Sequence, residues 1–113
     1  FRYAIEKMCK EKKSLNHFTI IDEYLSFDRT VGKALQFADS DGHTLVIVLS
    51  DHETGGMTIL DGNIQERSVL ADFSTSDHTG VPALIYAYGP QGNLFCGFQD
   101  NTDIYKKILY LLK

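Results

Sequence analysis

Two acid–imidazole pairs, Asp51-His52 and Asp77-His78, carry more chemistry than packing needs. The first ends the stretch TLVIVLSDHETGG, residues 44–56, where an aliphatic run long enough for a buried strand gives way to an acid, an imidazole, a second acid and two glycines. Carboxylate and imidazole are costly beside a core unless a metal, a charge partner or water compensates them. Neighbours in a regular strand point to opposite faces, so Asp51 and His52 can serve one site only where the chain has left the strand. The glycines at 55 and 56 permit that departure, through positive φ and close backbone approach. The second pair lies in TSDHTGVP, residues 75–82, a polar loop ahead of another apolar run. Carboxylates with imidazoles and no thiolates suit zinc, with magnesium favoured where oxygen ligands dominate. Plainer readings stand beside this one. Asp77-His78 also reads as a turn or capping pair, Glu53 as a loop carboxylate or a partner behind a ligand, and His43, in the turn DGHTL, as solvated.

The elements that must position these residues follow from periodicity. Phe1, Ala4, Ile5, Met8 and Cys9 recur at helical spacing, and KEKK supplies a basic last turn, so a first helix is expected. Ile21, Tyr24, Phe27, Val31, Ala34, Leu35 and Ala38 share one face of a second helix over residues 21–38, ended by DSDGH. TLVIVLS reads as a strand covered on both sides. MTIL is a short strand with DGN as its turn, GVPALIYAYG a second long strand with Pro82 near its start, and LFCGF a further short strand. Asp100 or Asn101 caps a last helix whose buried stripe is Ile104, Ile108, Leu111 and Leu112. Helices alternating with apolar strands give an α/β layered sandwich with a mostly parallel sheet. In such sheets ligands sit at the carboxyl ends of strands, where Asp51-His52 stands. His78, on the entry side of its strand, then needs a loop crossing over the sheet to reach the same crevice.

Composition sets the outer limits. The chain has 113 residues, the size of one domain, with 43% hydrophobic and 23% charged residues, which fits a globular protein rather than a disordered one. A net charge of -4 without a basic stripe speaks against nucleic acid as partner. No apolar run reaches the roughly 20 residues that span a bilayer, so no membrane partner is expected. The start FRYAIEKMCK, without an initiator Met, reads as an internal fragment or a processed product. Cys9 and Cys96 lie too far apart for a zinc knuckle and fix neither a disulfide nor a compartment.

Taken in order, TLVIVLSDHETGG, then TSDHTGVPALIYAYGPQGNLFCGFQDNTDIYKKI, resembles the C-terminal part of the alkaline phosphatase family. The likeness runs from about Ile21 to the end, with FDRTVGKALQFA similar to the helix ahead of that family's metal-binding strand. Three separated motifs carry it: a hydrophobic strand ending in Asp-His, a His-Thr-Gly, and a Tyr-Gly-Pro followed by a final helix led by Asn-Thr. The resemblance implies a large α/β sandwich that hydrolyses phosphate monoesters through a phosphoserine, served by two zinc ions and a magnesium. It implies that Asp51 and His52 hold the zinc that activates the serine, and that His78 holds the other. It further implies a homodimer and a periplasmic or extracellular location.

The departures from the family pattern are equally specific. Its nucleophilic serine lies far upstream, so no catalytic residue is assigned in this chain, and its substrate-binding residues are unknown here. Its Asp-x-x-x-His zinc motif and acidic magnesium ligand precede the FDRTVGKAL helix, where this chain has KEKKSLNHFTIIDEY. His17 stands about one helical turn too close to that helix, lacks the preceding aspartate, and is not assigned to the metal. The whole chain, residues 1–113, is therefore expected to be a single-domain C-terminal fragment with a block lost or replaced around residues 12–18, inactive by itself. A non-catalytic binding or assembly module on the same fold, and a related metal-dependent phospho- or sulfo-hydrolase, are the alternatives. Asp51, His52 and His78 are expected to converge at one edge of the sheet.

Overall fold

The computed structural model describes residues 17–113. The expected helix over residues 1–9, Cys9, and the block around 12–18 up to residue 16 lie outside them. The described residues form α and β elements in two compact units. One comprises Leu25–Asp51 with Ala83–Lys113, and the other takes in residues 17–24 with His52–Pro82.

Helix α1 runs from His17 to Asp41, longer at both ends than the stripe predicts. Along its apolar face Phe27, Val31, Ala34 and Leu35 are half-buried and Ala38 is buried, while Tyr24 is exposed. Gly42 stops it. With φ 72, a left-handed conformation that glycine enters without strain, its N–H donates to the Ala38 carbonyl at 2.8 Å and closes the last turn. The Asp41 carboxylate then accepts from the His43 N–H (3.1 Å) and the Thr44 hydroxyl (2.6 Å), which fixes the turn into β1. His43 is exposed in that turn, as expected.

Strand β1 is Val46–Leu49 and pairs antiparallel with a later strand, Ile85–Tyr88, in the register Val46↔Tyr88 to Leu49↔Ile85. Between them, strands β2 (Met57–Asn63) and β3 (Ser68–Phe73) form a second antiparallel pair, so Ile85–Tyr88 is β4. The mostly parallel sheet expected from continuous apolar runs is thus not what the described residues pair. The 35 residues from Ser50 to Leu84 between β1 and β4 contain a hairpin, not the helical crossover that parallel pairing demands. Nor are these strands covered on both faces. Leu49 is exposed, and β4 alternates, with Ile85 and Ala87 half-buried and Tyr86 and Tyr88 exposed. Antiparallel pairing also removes the need for a crossing loop, because the chain leaves β1 beside the position where it enters β4.

The hairpin departs from two local expectations, and the segment after β4 from a third. DGN lies within β2, not at its turn, and the turn falls at residues 64–67. There the Asn63 side-chain oxygen accepts from the N–H groups of Gln65 (2.9 Å) and Glu66 (3.1 Å), and Arg67 takes φ 53. SVLADF, not expected as a strand, is β3, and the register shifts between Ile59 and Asp61. LFCGF is no strand either, since Gly92–Phe95 is a short 3-10 helix. Helix α2, Asn101–Leu111, begins after Asp100, whose carbonyl rather than side chain receives the Asp103 N–H (2.9 Å). Its expected buried stripe is only partly covered. Ile104 and Leu111 are half-buried, whereas Ile108 and Leu112 are exposed.

Phe95 is the deepest side chain of the first unit, 2% exposed. The Gln99 amide donates to its carbonyl at 2.9 Å, the Lys107 amine reaches the Gln99 side-chain oxygen, and that amine lies 5.9 Å from the Phe95 ring centre. The 3-10 turn is thereby tied to α2 by a ring, an amide and a cation. Phe95→Ala should lower stability by about 3–5 kcal/mol, the usual cost of emptying a buried aromatic site. Urea unfolding of the two proteins measures it, and a midpoint unchanged by the substitution would show that Phe95 is not the anchor.

Candidate metal centre

The candidate residues sit where the chain leaves β1 and where it leaves β3. Pairing of Met57 with Phe73 returns the segment after β3 to the segment before β2, so residues 52–56 and 74–79 become neighbours. Backbone bonds join them. The Gly55 N–H donates to the Asp77 carbonyl (3.0 Å), and the Thr75 N–H donates to the Gly55 carbonyl (3.2 Å). The Ser74 hydroxyl lies 3.5 Å and 3.4 Å from the carbonyl oxygens of Gly55 and Gly56.

The two glycines do what their sequence position suggests. Gly55 has φ 85 and Gly56 φ 57. A Cβ at Gly55 would stand 2.7 Å from the Phe73 ring, and one at Gly56 would collide with the Ser74 hydroxyl and press on the Thr79 methyl at 3.2 Å. Both requirements, positive φ and absence of a side chain, select glycine.

This return brings the two histidines together. The rings of His52 and His78 stack with centroids 3.7 Å apart and planes inclined by 28°. His52 is half-buried and His78 exposed. His52 Nδ1 lies 3.1 Å from both the Glu53 carbonyl oxygen and the Thr54 hydroxyl. A carbonyl only accepts, so Glu53 bonds Nδ1 in the tautomer that carries the proton there, whereas the Thr54 hydroxyl can bond that nitrogen in either tautomer.

Glu53 and Thr79 were not legible as a pair. One Glu53 carboxylate oxygen accepts the Gly56 N–H at 2.6 Å, and the other accepts the Thr79 hydroxyl from 26 positions further along. The Thr79 oxygen in turn accepts the Val81 N–H at 3.3 Å. The Thr79 hydroxyl bond holds the Glu53 carboxyl below its usual range. Desolvation opposes this, and the Gly56 and Thr79 N–H groups and the charge of His78 reinforce it. Asp77 follows the plainer of its two readings, its carboxylate accepting the adjacent His78 N–H at 2.8 Å while its own N–H donates to the Thr75 hydroxyl at 3.2 Å. Asp51 is exposed and ends the unit that carries β1 and β4, one residue before His52 begins the other. Cys96 is an exposed free thiol, and no helix among the described residues is long and apolar enough to cross a membrane.

Two stacked imidazoles supply the nitrogen donors that zinc prefers, so the donor type fits. The donor number is smaller than a closed site needs, because among the described residues no group of three or more His, Cys, Asp or Glu side chains is arranged to hold one ion.

Residues 7–73 match the family model described as alkaline phosphatase. Alkaline phosphatase H of Pseudomonas aeruginosa is 35% identical over 112 aligned positions, covering 85% of this chain and 24% of that protein. Alkaline phosphatase of Escherichia coli is 30% identical with the same two coverages. Streptomycin-6-phosphate phosphatase of Streptomyces griseus is 31% identical over 75% of this chain and 23% of its own length. Among solved structures, the alkaline phosphatase of the Antarctic bacterium TAB5 superposes with a TM-score of 0.73 at 42% identity, over 84% of this chain and 29% of that one. A variant of the TAB5 enzyme with Mg bound in its M3 site gives 0.74 at 38% identity, over 84% and 30%. The chain thus spans about a quarter of the length of the curated relatives named here.

Gly56→Ala should destabilise the junction of the two loops by about 1–3 kcal/mol, the cost of a side chain held at positive φ, with the collision at Ser74 added. Gly80→Ala is the control, since a Cβ there meets nothing within 4 Å. Urea unfolding should separate the two variants, and equal midpoints would contradict the close approach at Gly56.

Proposed function

The chain belongs to the alkaline phosphatase family, and on that premise we propose that it contributes part of the two-zinc site of a phosphate monoester hydrolase. Asp51 and His52 would hold the zinc that activates the nucleophilic serine, and His78 would hold its neighbour. The observation that carries this reading is the stacking of His52 on His78, 3.7 Å apart although 26 positions separate them in the chain. When bound, a pair of such ions about 4 Å apart lowers the pKa of a nucleophile and polarises the phosphate and its leaving oxygen. This chain's own residues present imidazole nitrogens and set the Glu53 carbonyl and the Thr54 hydroxyl beside His52 Nδ1. The remaining donors, the serine and the magnesium ligands would come from the longer protein.

The layered, mostly parallel sandwich is likewise proposed for that longer protein, whose other segments would cover the exposed Tyr86 and Tyr88 of β4. Residues 1–113 would be one piece of that domain rather than a domain complete in itself. A homodimer in the periplasm or outside the cell is the assembly and place that suit the reading. A non-catalytic module is the second reading, favoured by the small donor number among the described residues.

Calorimetric titration of the 113-residue chain with zinc should show binding weaker than the nanomolar grip of a full ligand set, and His52→Ala should weaken it further. Nanomolar affinity, or affinity unaffected by His52→Ala, would contradict the partial site, and the second of these would favour the non-catalytic module. With zinc and magnesium supplied, the same chain should not turn over a chromogenic phosphate monoester. Sustained turnover after exhaustive purification would show that the chain needs no outside nucleophile.

A further inference from the structure

The zinc reading assigns Asp51, His52 and His78 but leaves Glu53 and Thr79 without a task. Each stands directly after one of the two histidines. The Glu53 carboxylate is used at both oxygens, by the Gly56 N–H on its own loop and by the Thr79 hydroxyl on the other. The Thr79 oxygen accepts the Val81 N–H, so its hydroxyl proton is directed to Glu53. The Thr79 methyl lies against Gly56, where even a Cβ would crowd it. These bonds tie the residue after His52 to the residue after His78, and the rings they flank are stacked.

We infer that Glu53 and Thr79 form a clasp that positions the His52 and His78 imidazoles side by side for metal. This inference rests on the partial-site reading above and extends it to two residues that donate nothing to the metal themselves. The hydroxyl, not the methyl, is the part of Thr79 that matters. Removing a residue that orients a ligand characteristically costs 10–100-fold in metal affinity. Thr79→Val keeps the shape and deletes the hydroxyl, Thr79→Ser keeps the hydroxyl and deletes the methyl, and Glu53→Ala removes the acceptor.

Two measurements on the 113-residue chain test it. The first is metal-free: the nuclear Overhauser effect between the His52 and His78 ring protons, which rings 3.7 Å apart must show. It should be present in the wild type and in Thr79→Ser, and lost in Thr79→Val and Glu53→Ala while the amide spectrum of the β2–β3 hairpin is unchanged. The second is titration with cobalt(II) alone, read by visible absorption. Affinity should fall about tenfold or more in Thr79→Val and Glu53→Ala, and be restored in Thr79→Ser. Ring contacts and cobalt affinity retained in Thr79→Val would overturn the clasp. Should Thr79→Val and Glu53→Ala not fold, the wild-type chain decides, because absence of its ring contact, or of the contact between the Thr79 and Glu53 side chains, overturns the clasp as well. If no variant and no wild type binds cobalt while the ring contact still follows the hydroxyl, the clasp stands and the metal reading falls.

Discussion

The hairpin closure at Met57 and Phe73 is the constraint on which the candidate site depends. An antiparallel pair returns its two ends to one place, and here the ends carry HETGG and TSDHTG. Without that pairing, His52 and His78 have no reason to meet. With it, the remaining requirements are local: two positive-φ glycines with no side chain at the crossing, backbone bonds between Gly55 and Asp77 and between Thr75 and Gly55, and a carboxylate reaching across to a hydroxyl. A similar logic holds in the other unit. β1 and β4 pair so that Leu49 faces Ile85, and Gly89, at φ 104, lies so close to the Thr44 carbonyl that no Cβ fits between them. The Tyr88 hydroxyl then reaches the Asp39 carboxylate on α1 at 2.6 Å, and that bond holds the phenol proton on, raising its pKa.

Histidine chemistry follows from this closure in a definite order. The Glu53 carbonyl and the Thr54 hydroxyl both lie beside His52 Nδ1, and the stacked His78 ring supplies a second imidazole. Such an arrangement leaves polar rings half-buried or exposed rather than in a core. On the proposed reading, its use is to hold a cation. Among the described residues no three such donors converge on one ion, and the chain covers 24% of the Pseudomonas and Escherichia enzymes it resembles.

The sequence was most legible where the signal is local. Helix α1 and its stop within DSDGH, the strand before Asp51, the glycines at 55 and 56 and the final helix stand where pattern places them. Boundaries and pairing were less so. Continuous apolar runs read as doubly covered parallel strands, but such a run says only that a strand is apolar, and the chain direction of its neighbour is a tertiary fact. DGN carried the strongest turn signal in its region, yet the Asn63 side chain caps the turn from its first position, and the strand continues through Asp61 and Gly62. Among the site residues, the histidines announced themselves by type. Glu53 and Thr79 did not, because a carboxylate and a hydroxyl 26 positions apart become a pair only once the hairpin has closed.

The central claim is that these two loops form one half of a metal centre around His52 and His78. Anomalous diffraction at the zinc edge, from crystals of the zinc-loaded protein, tests it most directly. The account predicts zinc density about 2.0–2.1 Å from ring nitrogens of His52 and His78, the usual zinc–imidazole distance. Zinc bound elsewhere with both rings bare, or the two rings parted by closure of a different register, would contradict it.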